Sequence, residues 1–557
     1  MTDAPATPPS APRRRARWIA TAAGAATLVA GAGIASAGPA SAGETATAGG
    51  TASAPALPAS ITAQKLAWTR CTPDLPATYQ CATIKVPVDY QRPAGATLDL
   101  AISRYATSVP GKRHGILTFN PGGPGGSGLD MPVFMNDELP QSVRDQFDLV
   151  GFDPRGVGAS SPITCNLTGD ETSWLNPYKP QTFAKDVARA RTVASKCAKA
   201  GSTIPYITTR NTARDMDVLR TVLGEKKLSY LGYSYGTYLG AVYAQLFGSK
   251  ADRIVLDSSV DPALAWRGMV QSWAVGSKPA YDRWARFTAA HDAKFHLGTT
   301  PDAVGKVFWG LVAIAEKKPI NYMDSDWTGD EIRFTSRSGV FFPAQLADFV
   351  AGLKQAAAGQ PVSPASGSPA AALVRLTRST AAAKATRTAV ADPPADNGDA
   401  MFMAIVCNDV TNWPRNPETY RRDAIRDKKR YPLAGDVTSN ILPCAFWTVP
   451  HTEKSSVVAN RVPIMTVQNE WDPQTPLYTG LGMHRALKGS RLVFVDEGEG
   501  HGVYSSAGNT CAYAAVNAYL STGTLPATDV TCKADPAPQT KASLLPMDTF
   551  PGLPNRF

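Results

Sequence analysis

Ser234 lies in Gly232-Tyr233-Ser234-Tyr235-Gly236, a Gly-x-Ser-x-Gly pentad. A serine hydroxyl is a weak nucleophile alone. It needs a base to take its proton and an acid to orient that base. The run Leu228-Ser229-Tyr230-Leu231 before the pentad is strand-like, and Thr237–Phe247 after it has helical spacing and small residues. A serine on such a sharp strand-to-helix turn is held strained with its hydroxyl presented. Glycines two positions to either side let strand and helix approach. The pentad alone arises by chance in a chain this long; the strand and helix around it give it weight.

The base and the acid are expected after late strands, in the order serine, acid, histidine. The apolar run Val462–Gln468 leads into Asn469-Glu470-Trp471-Asp472-Pro473. Arg491–Val495 leads into Asp496-Glu497-Gly498-Glu499-Gly500-His501-Gly502. Asp472 and His501 stand where that order requires them, with Glu470 and Glu499 as rivals for the acid. Of six histidines, His501 alone lies in a Gly-rich loop after a late strand. His114, His291, His296, His451 and His484 read as surface or packing residues.

A Gly-rich run, Pro121-Gly122-Gly123-Pro124-Gly125-Gly126-Ser127-Gly128, follows the strand-like Gly115–Asn120. Gly123, Gly125 and Gly128 formally match a dinucleotide fingerprint, with Asp148 or Asp153 downstream. Pro121 and Pro124 stiffen the loop, however, and no long amphipathic helix follows directly. The better reading is an oxyanion hole, in which backbone N–H groups of Tyr235 and Gly123 stabilise a tetrahedral oxyanion. Gly122 is the alternative to Gly123. No His-Glu-x-x-His or comparable ligand pattern occurs, so no metal and no cofactor are expected.

The elements that must position these residues alternate. Strand-like Ala101–Tyr105, Gly115–Asn120, Phe147–Asp153, Lys227–Tyr233 and Arg253–Asp257 are interleaved with helical patterns at Thr212–Leu223 and Thr237–Phe247. Alternation of this kind predicts an α/β fold around a mostly parallel sheet flanked by helices. From about Pro262 the pattern changes. Trp266, Trp273, Trp284 and Trp309 sit in helical stretches, and Gln355–Asp396 is rich in Ala, Ser, Pro and Thr. An inserted, mainly helical cap is expected here. The α/β pattern returns at Val462–Gln468 and Arg491–Val495 and closes with a helix at Thr510–Leu520. The expected boundaries are 63–262 for the first part of the core, 263–400 for the cap, 401–535 for the second part and 536–557 for a tail.

Composition narrows the class. With 43% hydrophobic and 18% charged residues the chain holds enough apolar material for a large core, which excludes wholesale disorder. No apolar run beyond residue 50 is long enough for a polytopic membrane protein. No repeat of solenoid or propeller length is visible. The net charge is +10, without the clustered basic and aromatic stripe that a nucleic acid would need. A soluble basic surface is expected, with no nucleic-acid partner, no stable membrane association and a monomer.

The N-terminus reads as an export signal over residues 1–42. Arg13-Arg14-Arg15-Ala16-Arg17 precedes an Ala/Gly-rich segment and the small-residue sites Ala35-Ser36-Ala37 and Ala40-Ser41-Ala42. The paired arginines and weak apolar core suit the twin-arginine route as well as the general one. Residues 43–62 read as a leader or propeptide. There are eight cysteines, an even number with no Cys-x-x-Cys, which fits an oxidising compartment rather than zinc. Short loops close most readily, so the simplest pairing joins Cys71 to Cys81, Cys165 to Cys197, Cys407 to Cys444, and Cys511 to Cys532.

Together, Asn120–Gly128, Asp153-Pro154-Arg155-Gly156-Val157-Gly158, the Ser234 pentad and the Asp472 and His501 loops resemble the secreted tripeptidyl aminopeptidases of Streptomyces-type actinobacteria. These are relatives of prolyl iminopeptidase within the α/β-hydrolases, and the resemblance spans about residues 65–535. It implies an α/β-hydrolase fold with a helical cap. It also implies a secreted serine exopeptidase that frees short peptides, tripeptides above all, from free N-termini by acyl-enzyme hydrolysis. Such an enzyme must bind an ammonium group, best done by a carboxylate at the cap mouth. Asp409, beside Cys407, is the expected partner, with Asp257 and Asp261 as further candidates; the plainer reading of Asp409 is a capping or solvated carboxylate. The resembled family also includes carboxylesterases, so a secreted carboxylesterase or lipase with the same triad is the alternative.

Overall fold

The strands that carry the site are continuous apolar runs because both their faces are covered. In the computed structural model, which describes residues 55–360, 362, 370, 371, 373 and 392–535, Gly115–Asn120, Phe147–Phe152 and Leu228–Tyr233 are buried throughout. The expected signal peptide, most of the leader, the body of the low-complexity segment and the C-terminal tail lie outside the described residues.

The strands are β1 (Thr69–Arg70), β2 (Tyr79–Pro87), β3 (Thr97–Tyr105), β4 (Gly115–Asn120), β5 (Phe147–Phe152), β6 (Leu228–Tyr233), β7 (Ala251–Asp257), β8 (Ile320–Tyr322), β9 (Ser325–Trp327), β10 (Ile464–Trp471), β11 (Ser490–Glu499) and β12 (Val530–Lys533). Ten of them form one sheet in the order β1-β2-β3-β5-β4-β6-β7-β10-β11-β12. The β1–β2, β2–β3 and β3–β5 pairs are antiparallel and every later pair is parallel. This is the α/β-hydrolase architecture that the alternation and the resemblance anticipate.

Two apolar layers cover the sheet. One includes Leu239, Val242 and Tyr243 of the helix Tyr235–Leu246 and Met216 and Leu219 of the helix Thr209–Val222. The other includes Val516, Tyr519 and Leu520 of the helix Thr510–Thr522, against Val255, Val467 and Val493. Burying each such side chain contributes about 1.5–3 kcal/mol, so the layers fix which way each strand end points.

Residues 267–357 form helices Arg267–Ala290, Pro301–Lys317, Gly329–Gly339 and Pro343–Ala357 around their own core of Trp284, Phe308, Trp327, Ile332 and Phe349. The insertion also holds the antiparallel hairpin β8–β9, which the helical reading did not foresee. The sheet resumes at the apolar run beginning near Val462, as expected. Helices Asn397–Asn408 and Pro417–Arg430 intervene, Leu433 packs into the insertion's core, and the next sheet strand begins at Ile464.

The disulfides are Cys71–Cys81, Cys165–Cys197, Cys407–Cys444 and Cys511–Cys532, all between sequence neighbours. Among the described residues no helix is long and apolar enough to cross a membrane.

Candidate active site

Strand β6 ends at Tyr233 and a helix starts at Tyr235, so Ser234 makes the whole turn. Its φ of 56° and ψ of −122° lie in a region that costs a non-glycine residue about 1–3 kcal/mol. The turn is held from both sides. The Ser234 N–H donates to the Asp257 carbonyl at 3.0 Å, and the Ser234 carbonyl accepts from Thr237 N at 2.9 Å and Thr237 Oγ1 at 2.6 Å. A Cβ on Gly236 would stand 2.8 Å from the Asn120 carbonyl oxygen, so only glycine fits where β4 and the helix meet.

Strand β10 runs through Glu470 to Trp471 and delivers Asp472 at its end; β11 delivers the loop to His501. His501 Nδ1 lies 2.9 Å from Asp472 Oδ2 and 3.1 Å from Oδ1. Asp472 is buried, and its oxygens also accept from the backbone N–H groups of Gln474 and Thr475 and from Thr475 Oγ1, each at 2.8 Å. These contacts fix the carboxylate against Nδ1 of the imidazole, so that Nε2 is the ring nitrogen turned away from Asp472. The rivals are engaged elsewhere. Glu470 accepts from the Glu497 amide at 2.8 Å, and Glu499 pairs with Arg283 of the insertion.

The loop carrying His501 is pinned to the end of β7. Asp257 accepts from the amides of Val503 at 3.0 Å and Tyr504 at 2.7 Å, and Ser258 Oγ accepts from Gly502 N at 2.8 Å. Burial pushes the Asp257 carboxyl up to about 6, against the hydrogen bonds and His501, which pull it down. Asp257 therefore holds the histidine loop and is not available for a substrate amine. Asp261 caps the turn after it, accepting from Ala263 N at 2.9 Å.

The Gly-rich loop reaches the same place. A Cβ built on Gly122, whose φ is +104°, would lie 2.9 Å from Ser234 Cβ and 3.3 Å from Tyr235 N. The Gly122 N–H is itself engaged, donating to Asn120 Oδ1 at 3.0 Å. Of the two candidate donors of this loop, the Gly122 N–H is thus the one already engaged. Gly123 and Tyr235 N–H groups have no hydrogen-bond partner among the described residues.

Asp409 departs from its expected role. Its carboxylate accepts from Thr209 N at 2.8 Å, Thr209 Oγ1 at 2.6 Å and Trp266 Nε1 at 3.1 Å. Burial pushes it up to about 6 even so. With three protein donors and almost no exposure it ties the entry of the insertion to the core instead of facing a substrate ammonium. Thr209 Oγ1 passes the contact on to the Tyr235 hydroxyl at 2.8 Å. Sequence reading missed Thr475, Asn120 and the clamp function of Asp257; nothing in a linear pattern marks a hydrogen bond between residues 246 positions apart.

The comparisons with known proteins agree with this geometry. The sequence profile of the TAP-like protein family matches residues 431–532, and that of the alpha/beta hydrolase fold matches residues 115–304. A tripeptidyl aminopeptidase of Streptomyces lividans is 35% identical over 488 residues, 85% of this chain and 87% of that protein. Serine protease Hip1 of Mycobacterium tuberculosis is 31% identical over 495 residues, 84% of this chain and 91% of that protein. Carboxylesterase B of the same organism is 30% identical over 497 residues, 85% and 91% of the two chains. With relatives this similar along most of its length and theirs, the chain belongs to the tripeptidyl-aminopeptidase-like family of α/β-hydrolases and is a serine hydrolase.

Proposed function

We propose that the protein is an exported serine exopeptidase that removes short peptides, tripeptides in the first instance, from free N-termini. The observation that carries the catalytic part is the Asp472–His501 pair, 2.9 Å apart, on a loop clamped beside the strained Ser234. In this reading His501 Nε2 takes the Ser234 proton and Ser234 Oγ attacks the scissile carbonyl. The N–H groups of Tyr235 and Gly123 receive the oxyanion. His501 then protonates the leaving amine, and water, activated by the same nitrogen, releases the acyl peptide.

The substrate part rests on the tripeptidyl aminopeptidase and serine protease relatives. Export by a signal peptide, by the twin-arginine or the general route, is supported by the four disulfides, which suit an oxidising compartment. The reading needs no cofactor, and a monomer suffices for it. The alternative, a carboxylesterase with the same three residues, is favoured by the carboxylesterase relative at 30% identity.

The deciding experiment compares kcat/KM for tripeptide anilides with free and acetylated N-termini and for a simple nitrophenyl ester, in the wild type and in Ser234→Ala. Exopeptidase action requires the free amine to be strongly preferred and all three activities to vanish with Ser234. Equal cleavage of acetylated and free anilides would hand the reading to an endopeptidase or esterase.

A further inference from the structure

The loop that carries His501 is gripped just after that residue by Asp257 and Ser258. Just before it, the loop is gripped by the insertion. Arg283 lies on the insertion's helix Arg267–Ala290. Its guanidinium pairs with Glu497 Oε2 at 2.7 Å and with Glu499 Oε1. Its Cζ lies 5.2 Å from the centroid of the Trp471 ring, and Trp471 Nε1 donates to the same Glu497 Oε2 at 3.3 Å. Trp471 immediately precedes Asp472, and Glu499 is separated from His501 by Gly500 alone. One arginine of the insertion therefore touches the chain beside both the acid and the base.

The backbone at this point is irregular. The register between β10 and β11 passes from Asn469 opposite Val495 to Trp471 opposite Glu499, so Glu470 alone spans Asp496, Glu497 and Gly498. A bulge of this kind bends its strand and re-aims the side chains beyond it. Glu497 has a φ of 60°, in the left-handed region that disfavours a non-glycine residue. From the core side, Glu470 accepts from the Glu497 amide at 2.8 Å, and Asn469 Nδ2 donates to the carbonyls of Glu499 at 3.0 Å and Gly500 at 3.1 Å. The bulge also gathers like charge: Glu470, Asp496, Glu497 and Glu499. Asp496 pairs with Lys533. Among the described residues, Arg283 is the cation ion-paired with Glu497 and with Glu499. A single exposed ion pair contributes little. A guanidinium shared by two carboxylates and an aromatic face, with its side chain only 20% exposed, is a network of the kind that contributes more.

We propose that Arg283 is a positioning residue: by joining Glu497, Glu499 and Trp471 it sets the approach of the chain to His501, so that the insertion takes part in aiming the base. This rests on the reading of His501 as the base for Ser234. Without the guanidinium, Glu497 and Glu499 are left as unneutralised anions at one bulge. The turn then opens, and Gly500 and His501 move with it. Misplacing a reacting group by about 1 Å can cost about a hundredfold. The grips of Asn469 and Asp257 remain, so the expected loss is smaller.

The test compares Arg283→Gln, Arg283→Lys and a protein carrying both Glu497→Gln and Glu499→Gln. Each is measured by steady-state kinetics on a free-amine tripeptide anilide and by the rate at which a small fluorophosphonate labels Ser234. The small probe reports activation of the serine without peptide contacts. Arg283→Gln should lower kcat about tenfold with KM within about twofold, and labelling should slow by the same factor. Arg283→Lys should recover part of both. Adding Arg283→Gln to the doubly neutralised protein should change kcat by less than about twofold, because the carboxylates it served are gone. Unchanged kcat and labelling in Arg283→Gln overturn the proposal. So does a raised KM with normal labelling, which would make Arg283 a support for substrate binding alone. So does the full loss in the neutralised background. His501→Ala separates the two levels: labelling as fast as in the wild type would remove His501 as the base, whatever Arg283 does.

Discussion

The Ser234 amide donates to the Asp257 carbonyl at 3.0 Å, while the Asp257 carboxylate grips the amides of Val503 and Tyr504, just past His501. One residue at the end of β7 thus sets the position of both the nucleophile turn and the histidine loop. Asp257→Asn replaces an oxygen that receives N–H groups with an amide that has its own N–H to place. Losing one such buried hydrogen bond costs about 1–3 kcal/mol. The expected outcome is a fall in kcat of about tenfold to a hundredfold, with KM within about twofold, because Asp257 orders reacting groups without holding substrate. Steady-state kinetics on a tripeptide anilide check it; an unchanged kcat would show that the loop holds itself.

Gly122 is a second lever on the same turn. An added methyl would stand 2.7 Å from the Tyr233 carbonyl oxygen and 2.9 Å from Ser234 Cβ, on a backbone with φ of +104°. Gly122→Ala must move either the Gly-rich loop, the proposed oxyanion site, or the Ser234 turn. Loss of a single oxyanion donor costs about a hundredfold to a thousandfold in kcat, and a loss of that order is expected here. Fluorophosphonate labelling of Ser234 should slow in parallel, which separates a displaced site from a weakened substrate contact.

Asp409 makes stability depend on pH with an unusual sign. Burial raises its folded value to about 6 from the ordinary 3.8. Between about 4 and about 6 the folded protein holds a proton that the unfolded chain has released. Its contribution is therefore fully present below about 4 and is lost as pH rises through about 6. A shift of this size is worth about 3 kcal/mol. Asp409→Asn cannot titrate. The difference in unfolding free energy between variant and wild type should move in the variant's favour as pH rises from 4 to 6 and stay flat above 7. Denaturant melts at four pH values measure it; a constant difference would show that Asp409 titrates normally.

Cys407 and Cys444, 37 positions apart in sequence, close a loop that contains Asp409. Chain-entropy reasoning gives such a cross-link about 4 kcal/mol. Replacing both cysteines by serine should lower stability by about 2–4 kcal/mol in chemical denaturation. The native protein should show no reactive thiol when denatured without reductant, since the described structure has no free cysteine.

What the sequence made legible was local or ordered along the chain. Ser234 is flanked by the glycines its turn needs, and Asp472 and His501 follow late apolar strands, so type, spacing and order coincide. Asp409 shows the opposite case. Its sequence displays a carboxylate beside a cysteine, but the three donors that fill it come from Thr209 and Trp266, far away in the chain. Arg333 and Arg337 lie one helical turn apart and look alike in sequence; only the fold gives Asp436 to one and the Gln474 side chain to the other. The short edge strands β1 and β12 were missed because two to four mostly exposed residues carry no periodic signal, and the nine-residue β2 was missed as well, its burial pattern lacking a clean alternation.

Strand β7 finds its parallel neighbour in β10, with Ile254 opposite Ile464, more than 200 positions later. Ser234 lies on the early side of that seam, and Asp472 and His501 lie on the late side. A chain emerging from N- to C-terminus therefore carries its serine long before it carries the residues proposed to activate it. Every length that stops short of His501 lacks the proposed base, however well its first half has folded. Chain order alone thus withholds the proposed base from the growing chain until residue 501 has been added.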